Sequence, residues 1–532
     1  MILLLVAAGL ARPVDPSTPE ARLTGPLAEA WHASAEEDRF SRFVQSHPDF
    51  APDVQVVVVL RDAATGDALA ERLGLDVEAR HADLLQVRIP VARLGELAAA
   101  PEVAHVRQPF RPSAKETVSE GYEKTMLQDW HQTGPYTGTD VTVGILDVGF
   151  DGYDGLLGSE LPEAVDSDLS RGAAQSSDHG TAVAEVVHDF APDATLNLVS
   201  FGTDVEFGEG LQTLLDAQVD VVNASVGFDN TWSLDGSSTL SRSADAMVEA
   251  GIIYIGAAGN ENLRYRVGEL ANVSGTQYIE IGDHYAIRGS APNGRVRVSF
   301  RWSEPFGAAA TDLDLVVFDA DTERECGRSE TPQNGDDDPY EEVSVSDCGE
   351  NIYAAVYAEP GTDVSGLSGW LYNAHGLDTT ELTNVSTLSL PGDCLSCLAI
   401  GAVVDDTIAD YSSRGPTEDG RVKPDFVGPS DVSTETLGEK AFTGSSAAAP
   451  HVAGLAALWV DATNIHDDPA GFELWEADEA KDLGDNGADN TYGGGAVRAD
   501  QAPGCGCSGA GAAPSVALAA LTAGMLARRR RR

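Results

Sequence analysis

Three short apolar runs constrain the fold of this 532-residue chain more than any other feature. The runs VTVGILDVG, VDVVNASVG and GIIYIGAAGN are rich in β-branched residues, which is typical of strands buried on both faces of a parallel sheet. Each run ends in small or polar residues, and open α/β sheets carry their functional groups at the carboxyl ends of their strands. The sequence therefore predicts an α/β domain with helices on both faces of a parallel sheet.

The first run and a later helix supply two proton-handling residues. Asp147 ends the run VTVGILDVG, where a buried carboxylate can orient an imidazole and stabilise its charged form. His179 begins HGTAVAEVVHDFA, whose apolar residues recur at helical spacing, so we predict a helix that starts at this histidine. The start of a helix holds the ring rigidly, and the helix dipole favours the neutral form. His179 is therefore the candidate general base.

A serine near the end of the chain supplies the nucleophile. Ser446 lies in FTGSSAAAPHVAG and is followed by an apolar helical stretch. Pro450 suits the beginning of that helix, because its missing N–H does little harm there. Ser446 can offer its hydroxyl to a substrate and its backbone N–H to a developing oxyanion.

The other two runs predict how a substrate is held. Asn260 ends GIIYIGAAGN, and its side-chain amide is a candidate for the second oxyanion donor. The run VDVVNASVG ends in Ser225, Val226 and Gly227, whose backbone edge can pair with an extended substrate by strand addition.

These motifs, in the order Asp, His, Ser, resemble those of the subtilisin-like serine proteases, the subtilase or peptidase S8 family. Further matches are APDATL at 191–196, the N-x-S-x-G motif at 223–227, SSRGPT and KPD within 412–425, and YGGGAV at 492–497. The resemblance implies that Asp147, His179 and Ser446 form the triad, that Asn260 is the oxyanion residue, and that Ser225, Val226 and Gly227 bind substrate. It implies no cofactor for the chemistry.

The chain departs from the family pattern at a few positions near these motifs. Val148 replaces the usual hydroxyl residue after the catalytic aspartate, Ala447 replaces the usual methionine, and Glu185 replaces a small residue on the histidine helix. Ser445 also neighbours the nucleophile, but the A-A-A-P that follows aligns Ser446. Since no reacting group is lost, we expect a serine endopeptidase that acts on proteins or peptides through an acyl-enzyme. The alternative is a catalytically degenerate surface-binding protein of the same fold that acts through an inserted domain.

Residues 53–110 form a separate unit with the predicted order β-α-β-β-α-β, which suits a ferredoxin-like domain. The unit resembles the subtilase propeptide, and this implies a zymogen that removes its own propeptide and leaves a peptidase domain at 126–502. An ordinary accessory domain is the alternative.

A long insertion at 268–385 separates the histidine motif from the serine motif. Its short segments alternate polar and apolar residues between turn signals, which favours an antiparallel β-sandwich. Asp312, Asp314 and the acidic stretch 335–342 make structural calcium one interpretation, and a solvated acidic edge is the other. No metal ligand is assigned.

The two ends of the chain predict export. Residues 1–11 resemble the apolar core of a signal peptide. Residues 505–532 contain Cys505 and Cys507, then an apolar stretch at 510–527 and five arginines. This pattern resembles a bacterial C-terminal sorting signal of the MYXO-CTERM kind, whose apolar stretch is a transmembrane helix until it is processed. We expect a secreted or cell-surface protein.

Charge and cysteines agree with that expectation. The net charge of -51 leaves no basic surface for nucleic acid, so we expect no such partner, and we expect a monomer. Cys326 and Cys348 can staple the insertion as a disulfide. Cys394 and Cys397 can form a tight disulfide or half of a metal site.

Overall fold

The computed structural model divides the chain into two compact units, Met1–Lys115 and Glu116–Arg532. It describes residues 52–107 except 82, 118–128, 130, 134–171, 176–499 except 336 and 347, and 502–503, together with 19, 22–23, 26–36 and 39–41. The predicted signal segment at 1–11 and the predicted sorting segment at 505–532 lie outside these residues.

The first unit is a small α/β domain around one antiparallel sheet. Its elements are α1 (Pro26–Ala33), β1 (Asp53–Leu60), α2 (Gly66–Leu73), β2 (Asp76–His81), β3 (Leu84–Pro90), α3 (Leu94–Ala99) and β4 (Val103–Arg107). The strands lie in the order β2-β3-β1-β4. Alternate apolar residues of β1 and β3 point to one buried face, where the helices cover them.

The second unit is built on a parallel sheet, so the predicted α/β fold class is confirmed. Its strands are β5 (Thr142–Asp147), β6 (Asp166–Asp168), β7 (Thr195–Ser200), β8 (Val221–Ala224), β9 (Ile253–Ala257), β19 (Leu398–Val404), β20 (Thr407–Ile408) and β21 (Phe426–Pro429). From β21 the parallel strands run β21-β19-β9-β8-β5-β7-β6, and β20 adds an antiparallel edge to β19. The strands β5, β8 and β9 are the three apolar runs of the sequence.

Helices cover both faces of this sheet. They are α4 (Gly121–Lys124), α5 (His179–Phe190), α6 (Asp204–Asp216), α7 (Thr239–Glu249), α8 (Ser445–Thr463) and α9 (Pro469–Glu479). Apolar residues of α5 and α8 pack on one face and those of α6 and α7 on the other. Because both faces are covered, β5, β8 and β9 carry almost no polar side chains except at their ends.

A two-sheet insertion follows β9. Its strands are β10 (Tyr265–Asn272), β11 (Tyr278–Ile281), β12 (Ile287–Ser290), β13 (Val296–Trp302), β14 (Leu313–Asp319), β15 (Arg324–Ser329), β16 (Tyr340–Val345), β17 (Asn351–Ala358) and β18 (Ser368–His375). Strand β10 joins the two sheets, since its first half pairs with β18 and its second half with β11. Its first strand begins three residues before the predicted boundary at 268.

The insertion has its own apolar core between the sheets, and a disulfide joins Cys326 to Cys348 beside that core. The second predicted pair, Cys394 and Cys397, is also a disulfide and lies before β19. Asp312 accepts a hydrogen bond from the Gln333 N–H at 3.1 Å.

Within the described residues, no three His, Cys, Asp or Glu side chains are grouped so that they could hold a metal ion. Of the helices in the same described ranges, none has the length and apolar character of a membrane span. The span predicted at 510–527 lies outside those ranges.

Candidate active site

Asp147 and His179 form a fixed pair at the carboxyl edge of the parallel sheet. Asp147 is the last residue of β5 and is fully buried, and the Val148 N–H donates to its Oδ1 at 2.8 Å. His179 is the first residue of α5, as predicted, and its Nδ1 lies 2.8 Å and 2.9 Å from the two oxygens of Asp147. The carboxylate therefore holds the N–H at Nδ1 and leaves Nε2 as the basic nitrogen.

The surroundings of His179 control both its position and its charge. Burial disfavours the imidazolium, but the charge and hydrogen bond of Asp147, with the charge of Asp178, outweigh burial and raise the pKa of His179. Gly180 lets the helix begin this close to the strand, because a Cβ there would lie 2.8 Å from that of Asp147. The Phe442 ring packs edge-on against the imidazole at 5.7 Å.

Ser446 lies in the first turn of the long helix α8, which begins at Ser445, two residues before the helical stretch predicted after Ser446. A helix normally continues with the N–H of residue 450 bonded to the carbonyl of residue 446. Pro450 has no N–H, and the Ser446 carbonyl instead accepts from the Ser225 hydroxyl at 3.0 Å. Proline at this position thus joins the start of α8 to the end of β8.

The Ser446 hydroxyl donates to the backbone carbonyl of Ser225 at 2.9 Å. In the part of the chain that the structure describes, no hydrogen bond joins this hydroxyl to His179. The Ser446 N–H is one of the first four of the helix, which have no intrahelical acceptor. Ser446 is therefore next to the predicted substrate-binding backbone, with its hydroxyl turned toward that backbone.

Asn260 is fixed beside the serine by its neighbour Ser445. The Ser445 N–H and hydroxyl both lie within hydrogen-bond distance of the Asn260 side-chain oxygen, at 2.8 Å and 3.1 Å. A backbone N–H can only donate, so the atom that faces it is the oxygen, and the Asn260 NH₂ is turned away. A Cβ on Gly444 would lie 2.9 Å from that NH₂ nitrogen. Ser445 thus positions the amide and is itself almost fully buried.

Two carboxylates hold the hairpin that precedes Ser446, formed by β22 (Val432–Thr434) and β23 (Gly438–Phe442). Glu120 accepts from the Ser433 N–H at 2.7 Å and from its hydroxyl at 2.8 Å. Glu185, on the histidine helix, accepts from two backbone N–H groups of the turn at 2.6 Å and 3.2 Å. The acidic residue at 185, for which the sequence offered no role, therefore fixes the hairpin that places Phe442 against the base.

The segment before α4 also contacts the back of the nucleophile helix. The ring of His451 is fully buried, its Nε2 lies 2.8 Å from the Ser119 hydroxyl, and it packs edge-on against Phe190. Burial lowers the pKa of His451 to about 3, so the ring is neutral and serves packing. A Cβ on Gly121 would lie 2.0 Å from the same ring.

The predicted site residues come from five separate parts of the chain, and three contacts involve them. Asp147 contacts His179, Ser446 contacts Ser225, and Asn260 contacts the residue before Ser446. Val226 is half-buried and Gly227 is exposed, so this edge is open to a partner. No local pattern indicates Asp229, Glu261 and Tyr372, which lie beyond Gly227, beyond Asn260 and on the insertion, because their proximity depends on the three-dimensional fold.

The sequence of the chain is similar to those of known proteases. The model of the subtilase family matches residues 138–287 and 373–495, just over half of the chain, and leaves out most of the insertion. The chain is 24% identical to the thermostable alkaline protease of Halalkalibacterium halodurans over 252 residues, which are 44% of this chain and 67% of that protein. It is 33% identical to the serine protease AprX of Bacillus subtilis over 146 residues, 21% of this chain and 31% of AprX.

A solved structure extends the likeness to the fold. The CspB protease of Clostridium perfringens superposes with a TM-score of 0.53 at 18% sequence identity, over 72% of this chain and 97% of CspB. The family match, the two protease relatives and the shared fold lead to one conclusion. The chain belongs to the subtilase family and is a serine protease.

Proposed function

We propose that this chain is a secreted or surface-anchored endopeptidase that cleaves peptide bonds through Asp147, His179 and Ser446. The observation that carries the proposal is the pair of short contacts between buried Asp147 and Nδ1 of His179. They fix the tautomer that leaves Nε2 unprotonated and able to accept the serine proton.

In the proposed reaction the Ser446 Oγ attacks the substrate carbonyl carbon while its proton passes to Nε2 of His179. The tetrahedral oxyanion accepts from the Ser446 N–H and from the Asn260 NH₂. The imidazolium then gives its proton to the leaving amine, and an acyl-enzyme remains. Water attacks this ester, again with His179 as base, and releases the acid and the free serine.

Substrate binding is proposed to prepare the nucleophile. In the free chain the Ser446 hydroxyl donates a hydrogen bond to the Ser225 carbonyl. This carbonyl belongs to the backbone edge of Ser225, Val226 and Gly227. A substrate N–H that pairs with this carbonyl would compete for it, so that rotation about the Ser446 Cα–Cβ bond turns the hydroxyl toward His179. Strand addition would then both place the substrate and release the nucleophile.

Self-processing and export complete the proposal. Residues 53–107 have the β-α-β-β-α-β order expected of a propeptide, and they belong to the first of the two compact units. The segment between the two units in the sequence is the proposed cleavage region. Export through residues 1–11, anchoring through 505–532 and a monomeric state are proposed from the sequence alone.

Two neighbouring serines provide a matched test on the full chain. Ser446→Ala should abolish both labelling by a fluorophosphonate and hydrolysis of a peptide. Ser445→Ala should keep the labelling, because it removes only one support of Asn260. The intact mass of the unlabelled protein reports self-processing. Only wild type and Ser445→Ala, the forms that can take the label, should show it. Wild-type chain that is folded but takes no label would contradict the triad and favour the degenerate binding protein.

A further inference from the structure

Ser389 lies between the backbone that continues β8 and the backbone that continues β9, near the proposed nucleophile. Its N–H donates to the Ala258 carbonyl at 3.0 Å, while the next residue pairs with Phe228 through two backbone hydrogen bonds of 3.0 Å. A Cβ on Gly227 would lie 2.5 Å from the Ser389 Cβ, and one on Gly259 would lie 2.3 Å from its Oγ. The two glycines thus flank Ser389, and only residues without a side chain fit this closely against it.

Two carboxylates meet beside Ser389. The Ser389 hydroxyl donates to Asp229 at 2.5 Å. The phenol oxygen of Tyr372 lies 3.2 Å from the other oxygen of Asp229 and 2.8 Å from an oxygen of Glu261. Glu261 directly follows Asn260, and Tyr372 belongs to β18 of the insertion. The insertion therefore completes a carboxylate pair within one residue of the proposed oxyanion donor.

The pair has fewer positive charges and protons than it can use. A phenol has one proton, so Tyr372 can donate to Asp229 or to Glu261 but not to both at once. Among the residues that the structure describes, the cation in contact with the pair is Arg264, whose Nε lies 3.3 Å from Glu261 and whose side chain is 43% exposed. Burial, with the charge of Asp229, raises the pKa of Glu261 to about 7. Two carboxylates and one guanidinium leave a net negative site when both are ionised.

A second observation is independent of the carboxylates. Tyr265 is 1% exposed and stacks on Tyr372 at 4.7 Å, and its hydroxyl makes no hydrogen bond of good geometry in the described part of the chain, although the backbone N–H of Asn230 lies near it. Burial, and then the charges of Asp229 and Glu261, raise the pKa of this hydroxyl against the opposing charge of Arg301, so it lies in the same electrostatic environment. Incomplete hydrogen bonding of a buried polar group is costly, so a polar ligand group in this region would stabilise it.

We propose that Asp229 and Glu261 bind the cationic side chain of the substrate residue whose carbonyl is attacked, so that the protease cleaves after arginine or lysine. This inference rests on the proposed function, because it requires the scissile carbonyl to lie between Ser446 and Asn260. In the proposed complex the aliphatic stem of that side chain lies against Gly227, Gly259 and Ser389, and its charged group reaches the carboxylates and replaces the shared proton.

The charge decides the selectivity. A cation gains charge-assisted hydrogen bonds to the pair, whereas a neutral side chain of the same shape leaves the carboxylates with Arg264 and one phenol proton between them. Sites built around buried polar groups discriminate strongly against substrates that leave those groups unpaired. We expect about a ten- to hundredfold preference for arginine over its neutral isostere citrulline.

The test compares kcat/KM of the full chain on peptides that differ only at this residue: arginine, citrulline, lysine and norleucine. Wild type should prefer each cation over its neutral partner. Glu261→Gln and Asp229→Asn should each lower the arginine-to-citrulline ratio about tenfold or more. Glu359→Gln, which removes one exposed acidic charge from the insertion, should leave the ratio unchanged.

Fluorophosphonate labelling separates this inference from the proposed function. If wild type is labelled and cleaves citrulline as well as arginine, the carboxylate pair does not select the substrate and the inference is wrong. The same conclusion follows if both variants keep the wild-type ratio. A wild-type chain that is folded but is neither labelled nor active would instead overturn the proposed function itself. A variant that does not fold leaves the wild-type ratio as the deciding measurement.

Discussion

The substitution Gly444→Ala tests whether the oxyanion donor is positioned as the structure indicates. Gly444 has φ 112° and ψ 170°, a region that is almost restricted to glycine and costs other residues about 1–3 kcal/mol. Its new Cβ would lie 2.9 Å from the Asn260 NH₂ nitrogen, against at least 3.4 Å for an ordinary contact, so the amide must move by about 0.5 Å. A misplacement of 1 Å costs about 10²-fold in rate, and loss of one oxyanion donor about 10²–10³-fold. We therefore expect kcat to fall about 10- to 100-fold with KM nearly unchanged.

The control is Gly438→Ala at the start of β23, on the hairpin that precedes Gly444, where φ is 97° but nothing lies within 4 Å of the new Cβ. It should lower the melting temperature as Gly444→Ala does and leave kcat within about threefold. Steady-state hydrolysis of a chromogenic peptide and thermal unfolding supply both readings. The double variant with Asn260→Ala should be no slower than Asn260→Ala alone, because the two changes act through one group. A Gly444→Ala enzyme with wild-type kcat would refute the reasoning.

Three further predictions concern ionisable groups. Glu185→Gln should lower the free energy of unfolding by about 1–3 kcal/mol, because the amide keeps only one of the two oxygens that accept the hairpin N–H groups. Glu439→Gln, at an exposed residue, should leave it unchanged, and chemical denaturation measures both. The raised pKa of His179 should place the acid limb of the pH profile of kcat/KM above 6.5, where activity rises as the base becomes neutral. The stability that protonated His179 gains from Asp147 should be lost over the same pH range, and an activity midpoint below 6.5 would contradict the prediction. Burial raises the pKa of Glu476 to about 8, so its contribution to stability should be complete below about pH 4.5 and lost as the pH rises through about 8. By scanning calorimetry, Glu476→Gln should therefore have a higher melting temperature than wild type at pH 9 and the same melting temperature at pH 4.

The parts of the site that could be predicted from the sequence are those that local patterns determine. A buried strand or a helix start is visible in a few residues, so the predicted places of Asp147 at a strand end and of His179 at a helix start are correct, whereas Asn260 lies three residues beyond the end of β9. The predicted start of α8 is two residues late, because the hydrogen bond from Ser225 to the Ser446 carbonyl takes the place of the one that Pro450 cannot make. Ser225 follows β8 and lies 221 residues earlier in the chain.

The pair of Asp229 and Glu261 shows which contacts the sequence could not predict. Glu261 reads as a loop residue after Asn260, and Asp229 follows a turn with no pattern of its own. Tyr372 joins them from an insertion that is patterned only as alternating strands. The three residues approach one another only after β8, β9 and β18 are in place, and neither spacing nor periodicity reports that.

The contacts of Ser119 and Glu120 limit where the proposed self-processing can cut the chain. Glu120 holds Ser433 of the hairpin, and Ser119 meets the buried His451 behind the nucleophile. A cut after either residue would remove a support of the hairpin or of α8 that the free enzyme still needs. We therefore expect the mature N-terminus to lie before Ser119, so that Ser119 and Glu120 stay in the mature enzyme and keep these contacts.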